Sequence, residues 1–381
     1  MNSSDWTSES GSALVPSPHT SPKLTQRPSI ESQSVDVARL SAWLEEYLNG
    51  FKAPLALERF AGGQSNPTFK LTTPGRVYVL RTKPGPSMKL VPSAHAIERE
   101  FKVMRALRNS AVPVPEVFCL CEDESVIGRA FYVMEYIQGR VFWDQALPGM
   151  ERTDRSAIYE AMVCTLAALH TTRAAPHGLG EFGKPANYFE RQISRWAAQH
   201  EAASMSAGFP DHGAIEEMDK LAEWLPAHIP ADSAVQHVAI VHGDYRLDNL
   251  MFHPSEPRVL GVLDWELSTL GHPLADFSYH CMSWHVRHGP DSRGIGGLDL
   301  HHLGIPVERE YIDRYCDLTG FATASDLMAN WNFYMAYNMF RMAAILQGIA
   351  TRAAAGTAAN PAVAGGADRM AKLAWSFARR A

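Results

Sequence analysis

The chain has 381 residues, 46% of them hydrophobic and 20% charged, which is enough apolar content for a sizeable core and a length that admits two domains or two lobes. A formal net charge of −6 argues against nucleic acid as the main partner. The five cysteines, at 119, 121, 164, 281 and 316, form no C-x-x-C pair, and an odd count in a long chain fits reduced thiols in a cytosol.

Residues 1–34 are rich in Ser, Thr and Pro with little apolar content, so a disordered tail is expected there, and Ala13 to Val15 is too short for a signal core. From Val35 to Leu48, apolar Val37, Leu40, Leu44 and Leu48 recur at helical spacing. Leu55 to Phe60 and Thr68 to Leu71 read as strands around Ala61-Gly62-Gly63-Gln64-Ser65-Asn66. Glycines let a backbone approach phosphates closely, and N–H groups with the Ser65 hydroxyl could donate to them; an ordinary glycine hairpin is the plainer alternative. Val77 to Arg81 is the next strand. A helix capped by Ser93 is expected to run to about Arg108, with Ile97, Phe101, Met104 and Leu107 as its apolar stripe and Glu100 at the border. Val112-Pro113-Val114-Pro115 stiffens a loop into a strand at Glu116 to Cys121, where Cys119 and Cys121 face one way, as buried thiols or, as the alternative, a metal site. Phe131 to Ile137 is a strand broken at Gly139.

Arg152 to Thr171 reads as a core helix, with Thr153 and Asp154 as cap candidates and a structural His170 at its end. Helices follow at Asn187 to Gln199 and Ala214 to Leu225, where Trp196 and Trp224 are expected to pack. Next comes the stretch richest in chemistry, Val238 to Asp276. Val238 to Val241 is a strand running into His242-Gly243-Asp244, Leu250 to Phe252 a second, and Arg258 to Leu263 a third that ends in Asp264. The segment is expected to fold as a hairpin that brings Asp244, Asn249 and Asp264 together.

Such a cluster suits transfer of a nucleotide γ-phosphoryl group, which needs a positioned nucleophile and metal-neutralised phosphates more than covalent chemistry. One carboxylate can orient and deprotonate an acceptor hydroxyl, and the other, with a neutral amide oxygen, can hold Mg2+. A metal-dependent hydrolase using His242, Asp244 and Asp264 is the competing chemistry. Beyond it, Ser283 to Pro306 is a Gly- and His-rich stretch suited to a pocket rim, where His285, Arg287, His288, Arg293, His301 and His302 could meet an acidic acceptor; a zinc cluster is the other use of those histidines. Trp331 to Ala350 is interrupted by Asn332, Asn338, Arg341 and Gln347, so it reads as a core helix and no membrane span is expected. Arg341, a cation among apolar neighbours, calls for a substrate anion or an internal carboxylate as partner.

HGDYRLDN, followed by VLDWE and GHPLAD, resembles the aminoglycoside phosphotransferase family and stands where protein kinases carry H-R-D-x-x-x-x-N and D-F-G. GGQSNPTFKL, CEDESVIGRAFYVMEYIQGR and FRMAAILQGIATRA further resemble the kinase domains attached to acyl-CoA dehydrogenases, over residues 50–365. The resemblance implies an α+β, bilobal protein-kinase-like fold: a small antiparallel-sheet N-terminal lobe at 35–138 that binds nucleotide, and a larger, mainly helical C-terminal lobe at 139–381 that carries catalysis and substrate. It also implies ATP and Mg2+ as cofactors, Asp244 as the catalytic residue, and Asn249 and Asp264 as metal ligands. Gly62, Gly63 and Ser65 would cover the phosphates. Arg81 stands where the family has a phosphate-gripping Lys, with Lys83 as an alternative, and Glu100 would pair with it. Backbone near Glu135 and Ile137 would meet adenine, and Asp276 would brace the catalytic loop, with His242 structural. The expected reaction is phosphorylation of a hydroxyl on a small acceptor, a hydroxyacyl or other carboxylate-bearing compound; the alternatives are a nucleotide-binding module without catalysis and an aminoglycoside-type antibiotic phosphotransferase.

Overall fold

The computed structural model describes residues 35–60, 66–85, 96–184, 186–205, 215–231, 238–290, 292–354 and 365–381. Helix α1 (Val37–Tyr47) starts at Asp36, whose carboxylate accepts the N–H groups of Ala38 and Arg39. It precedes β1 (Ala56–Arg59), β2 (Thr68–Thr72), β3 (Val77–Thr82), α2 (Ile97–Leu107), β4 (Val117–Cys121) and β5 (Phe131–Glu135). The five strands form one antiparallel sheet in the order β1-β2-β3-β5-β4.

Alternation along the strands gives this sheet two apolar faces. Tyr78, Leu80, Phe131 and Val133 pack with Cys119 and Cys121 against Leu40 and Leu44 of α1. Val79, Tyr132 and Met134 face Ile97, Phe101 and Met104 of α2, and this face is continuous with the core of the helical part. Cys119 is thus a buried thiol, pushed up to about 12 by burial.

The remainder comprises α3 (Arg152–Thr171), α4 (Tyr188–Ser204), α5 (Glu216–Ala227), β6 (Ala239–Val241), β7 (Leu250–Phe252), β8 (Val259–Val262), β9 (Thr269–Gly271), α6 (Pro273–Cys281), β10 (His288–Gly289), β11 (Ser292–Arg293), α7 (Leu300–Leu303), α8 (Glu308–Thr319), α9 (Ala324–Ala329), α10 (Trp331–Ala354) and α11 (Ala367–Ala378). The architecture is bilobal and α+β: a small antiparallel sheet lobe and a larger, mainly helical one. Helix α10 is buried along most of its length, from Trp331 to Gly348, with α4, α5, α6 and α11 packed around it. Among the described residues no helix is long and apolar enough to cross a membrane.

Two expectations need correction. The chain leaves the turn at Gly149 and is extended at Glu151, so α3 starts at Arg152 with Glu151 in the cap position and no side-chain capping bond; Thr153 and Asp154 sit inside the first turn. Strands β7 and β8 do form an antiparallel hairpin, but β6 is not part of it and pairs instead with β9. Asp244 and Asp264 therefore come from two separate ladders.

The β7–β8 hairpin is fastened to the segment joining the lobes. Arg140 exchanges both backbone hydrogen bonds with Phe252, each 2.8 Å, and the Val262 N–H donates to the Pro113 carbonyl at 2.8 Å. A Cβ on Gly139 would meet the Phe252 carbonyl at 2.4 Å, so only glycine admits that approach. This docking sets Asn249 and Asp264, together at the open end of the hairpin, beneath the sheet lobe.

Candidate active site

Strand β6 leads into His242-Gly243-Asp244, and α6 fixes that loop from below. Asp276, fully buried, accepts the N–H of His242 at 2.5 Å and of Gly243 at 2.7 Å, with His170 Nε2 3.4 Å from the same carboxylate. Burial pushes the Asp276 carboxyl up, but the bonds from His170 and the Gly243 N–H outweigh it and hold the group below its ordinary value. His242 accepts the Asp244 N–H on Nδ1 at 3.1 Å and donates from Nε2 to the Leu263 carbonyl at 2.9 Å, which fixes its tautomer and ties the loop to the end of β8. Gly243 has φ +85°, and a Cβ there would lie 2.7 Å from the Leu267 carbonyl. Both constraints exclude other residues from the position.

Asp244 carries a half-buried carboxylate bonded on both oxygens. Tyr279 of α6 donates its hydroxyl to Oδ1 at 2.5 Å, and Asn249 Nδ2 donates to Oδ2 at 3.1 Å and to the Asp244 carbonyl at 2.8 Å. Arg246 Nε lies 3.1 Å from Oδ1, and its Nη2 is 3.3 Å from Asp248. Burial pulls the Arg246 guanidinium down, and the charges of Asp244, Asp248 and Asp264 hold it above its usual range. The Asn249 carbonyl accepts the Leu263 N–H at 2.8 Å, so Asn249 and Asp264 flank one rung of the hairpin.

Asp264 has φ +65°, a left-handed conformation costly for a residue with a side chain. Its carboxylate meets Arg81 Nη2 at 2.5 Å. Arg81 Nε reaches Glu100 Oε2 at 3.0 Å, so one guanidinium joins the sheet lobe, α2 and the loop after β8. Glu100 is buried inside α2's packing face instead of lying at its border, and it also accepts from Asn66 Nδ2 at 2.9 Å and the Tyr132 hydroxyl at 3.2 Å. Burial pushes its carboxyl up to about 7, with Arg81 pulling the other way.

The other expected site residues divide as follows. Gly62, Gly63 and Ser65 lie outside the described residues, as does the proposed cap Ser93. Lys83 pairs with Glu98, which leaves Arg81 as the cation at Glu100 and Asp264. The Glu135 N–H donates to the Glu116 carbonyl at 2.7 Å, so that group is already engaged. Ile137 lies beyond the end of β5 with its Cδ1 packed at Gly261 of β8. Among the described residues Arg341 has no ion-pair partner: it donates to the Gly243 carbonyl and lies 4.9 Å over the Tyr279 ring and 5.6 Å over Trp196. His285 is bonded to Glu308 at 2.7 Å and His288 to the Gly294 carbonyl at 3.1 Å. Among the described residues no three His, Cys, Asp or Glu side chains are grouped to hold a metal ion by themselves, and both ring nitrogens of His242 are engaged with the backbone.

Three residues at the site escaped the sequence reading. Tyr279 falls three positions after Asp276 on the same face of α6, a spacing that links them. Arg246 lies within the HGDYRLDN stretch itself. Asn66 closes the glycine stretch and bridges Glu100 to Glu266, the latter at 3.4 Å.

A protein-family model described as phosphotransferase enzyme family matches residues 56–311. Acyl-CoA dehydrogenase family member 10 of Mus musculus is 45% identical over 346 residues, which is 88% of this chain and 31% of that protein. Family member 11 of Homo sapiens is 42% identical over 321 residues, 83% of this chain and 39% of that protein. The chain therefore spans between 31% and 39% of the length of these two relatives. A crystal structure of a Ralstonia eutropha protein, provisionally named an aminoglycoside phosphotransferase, is 51% identical with a TM-score of 0.80, covering 91% of this chain and 99% of that one. More distant structures share the fold alone. A thermostable mutant of aminoglycoside phosphotransferase APH(4)-Ia, solved with AMP-PNP and hygromycin B, has a TM-score of 0.57 at 16% identity, over 89% of this chain and 98% of that one. Choline kinase from Cryptosporidium parvum has 0.56 at 12%, over 91% and 95%. With the family model matching most of its length and a close structural relative covered almost completely, this chain belongs to the phosphotransferase enzyme family.

Proposed function

We propose that the chain is an ATP- and Mg2+-dependent small-molecule kinase that phosphorylates a hydroxyl of a hydroxyacyl or other carboxylate-bearing acceptor. The observation that carries this reading is the single hydrogen-bonded frame of Asp244, Asn249 and Asp264, tied together through His242 and Leu263. In this reading Asp244 orients the acceptor hydroxyl and takes its proton. Asn249 and Asp264 would hold the metal, and their chemistry fits: both are hard oxygen donors, and the Asn249 nitrogen is spent on Asp244, which leaves its amide oxygen for a cation. Bound Mg-ATP supplies the transferable phosphoryl group and neutralises the charge of the phosphates. Arg81, held by Glu100, would grip the nucleotide phosphates, Gly62, Gly63 and Ser65 would cover them, and backbone near Glu135 and Ile137 would receive adenine. Arg246 adds a positive charge beside Asp244, where charge would develop during transfer. In this reading the lobes divide at 35–138 and 139–381, and the nucleotide would lie where Arg81 meets Asp264.

Two observations support an anionic acceptor over a cationic aminoglycoside. Arg341 is buried near Asp244 and meets aromatic faces and a carbonyl where an acid would have neutralised it. Relatives 45% and 42% identical to this chain carry the name of acyl-CoA dehydrogenases. A coupled ADP-release assay across hydroxyacyl compounds, aminoglycosides and choline, with Mg-ATP, tests the proposal. Turnover of a hydroxyacyl compound is expected. Turnover of aminoglycosides alone would reassign the acceptor, and Mg-ATP binding without any turnover would leave a nucleotide-binding module.

A further inference from the structure

We infer that Tyr279 is a positioning residue for Asp244, and that α10 keeps it in that role through Arg341. The inference rests on the kinase reading and concerns how the proton-accepting carboxylate is aimed.

Helix α6 presents Asp276 and Tyr279 three residues apart, on one face, to the same loop. Asp276 fixes the backbone of His242 and Gly243; Tyr279 reaches two residues further and fixes the side chain of Asp244. A backbone brace alone leaves an aspartate free to choose among rotamers. Arg246 Nε lies 3.1 Å from the same Oδ1 without hydrogen-bonding to it, so it attracts the carboxylate without fixing its plane. With Tyr279 donating to Oδ1 and Asn249 to Oδ2, donors on opposite oxygens set the plane of the carboxylate. The phenol is suited to this because burial, then the Asp244 charge, push it far above its ordinary value and keep its proton in place.

The Tyr279 ring has its own support. Arg341, on buried α10, lies 4.9 Å over the ring while donating to the Gly243 carbonyl, and Trp196 of α4 lies 5.6 Å from the same guanidinium. One cation therefore steadies both the loop backbone and the side chain that aims Asp244. A tyrosine that merely filled space would need neither its hydroxyl nor this cation.

The test uses Tyr279→Phe, which deletes only the hydroxyl, with Asp244→Asn and the double variant. Phosphate release from Mg-ATP with water as acceptor, calorimetric Mg-ATP affinity and crystal structures are measured. Y279F should turn over roughly 10- to 150-fold more slowly, the range for a hydrogen bond to a charged group, with Mg-ATP affinity unchanged. The double variant should be no slower than D244N, because Tyr279 acts through Asp244. In the Y279F crystal the Asp244 carboxylate should rotate out of its present plane, turning its 3.1 Å contact with Arg246 Nε into a hydrogen bond. Arg341→Lys, which loses the planar stack, should slow turnover in the same sense with unchanged Mg-ATP affinity, and it decides the matter if Y279F fails to fold. An Asp244 carboxylate unmoved in Y279F, turnover equal to wild type, losses that multiply in the double variant, or Mg-ATP affinity falling in step would each overturn the inference. A wild-type chain that neither binds Mg-ATP nor releases phosphate from it overturns the kinase reading instead.

Discussion

Asp276→Asn asks how much of the catalytic loop's order depends on one buried carboxylate. Its oxygens accept two backbone N–H groups, at 2.5 and 2.7 Å, in a site with no exposure to solvent. An asparagine of the same shape keeps one acceptor and turns an NH2 toward the other N–H, so one buried donor loses its partner. That loss costs roughly 1–3 kcal/mol, and the retained bond loses about 1 more when its acceptor becomes neutral. D276N should thus be roughly 2–4 kcal/mol less stable at pH 7.5, read as a lower urea midpoint with an unchanged slope. The sign of the pH dependence follows from the depressed carboxyl. The unfolded group takes a proton at about 3.8 and the folded one only at lower pH, so the stabilisation is present above 3.8 and is lost as pH falls through the folded value. The gap between wild type and D276N should be constant from pH 8 to pH 5 and close in stronger acid. A difference below about 0.5 kcal/mol at pH 7.5, the ordinary size for an inconsequential substitution, would refute the reasoning, as would a gap that ignores acid.

Gly243→Ala should cost roughly 1–2 kcal/mol from its φ of +85° alone, before its contact with the Leu267 carbonyl is counted, and thermal unfolding at wild-type temperature would show that the loop relaxes freely. Asp264→Ala should weaken the Mg2+ dependence of ATP binding measured by calorimetry with and without the metal; an unchanged dependence would reassign the ligand. Burial holds the His280 imidazole at about 4, bonded to the Tyr311 hydroxyl at 2.8 Å, below its ordinary 6.5. The unfolded ring takes a proton first, so the stability is present above 6.5 and lost as pH falls toward 4, by roughly 3 kcal/mol at 1.36 kcal/mol per pH unit. His280→Gln should flatten that part of the stability curve, and a wild-type curve already flat there would refute the buried neutral ring.

What the sequence revealed, and what it hid, follows from the range of the interactions. HGDYRLDN and LDWE were legible because their side chains act from short, local segments, and the helices and sheet strands because apolar periodicity marks a buried face. The pairing of β6 with β9 was hidden because Thr269–Gly271 is three residues long and ends in glycine, too short for any alternation to show. The expected cap at Thr153 and Asp154 failed because the turn at Gly149 sets where the chain enters α3, and that conformation is invisible to residue preferences. Arg341 was recognised as a cation needing a partner, but the carbonyl 98 residues away and the two aromatic faces that it meets exist only in three dimensions. Tyr279 had a local signal in its three-residue spacing from Asp276; its bond to Asp244 spans 35 residues.

The most direct test of the account is phosphoryl transfer from Mg-ATP by Asp244→Asn, measured beside Mg-ATP affinity on the same preparation. The account predicts turnover reduced by roughly 10²- to 10⁴-fold, the size of acid–base assistance, with nucleotide affinity intact. Turnover near that of wild type would contradict it.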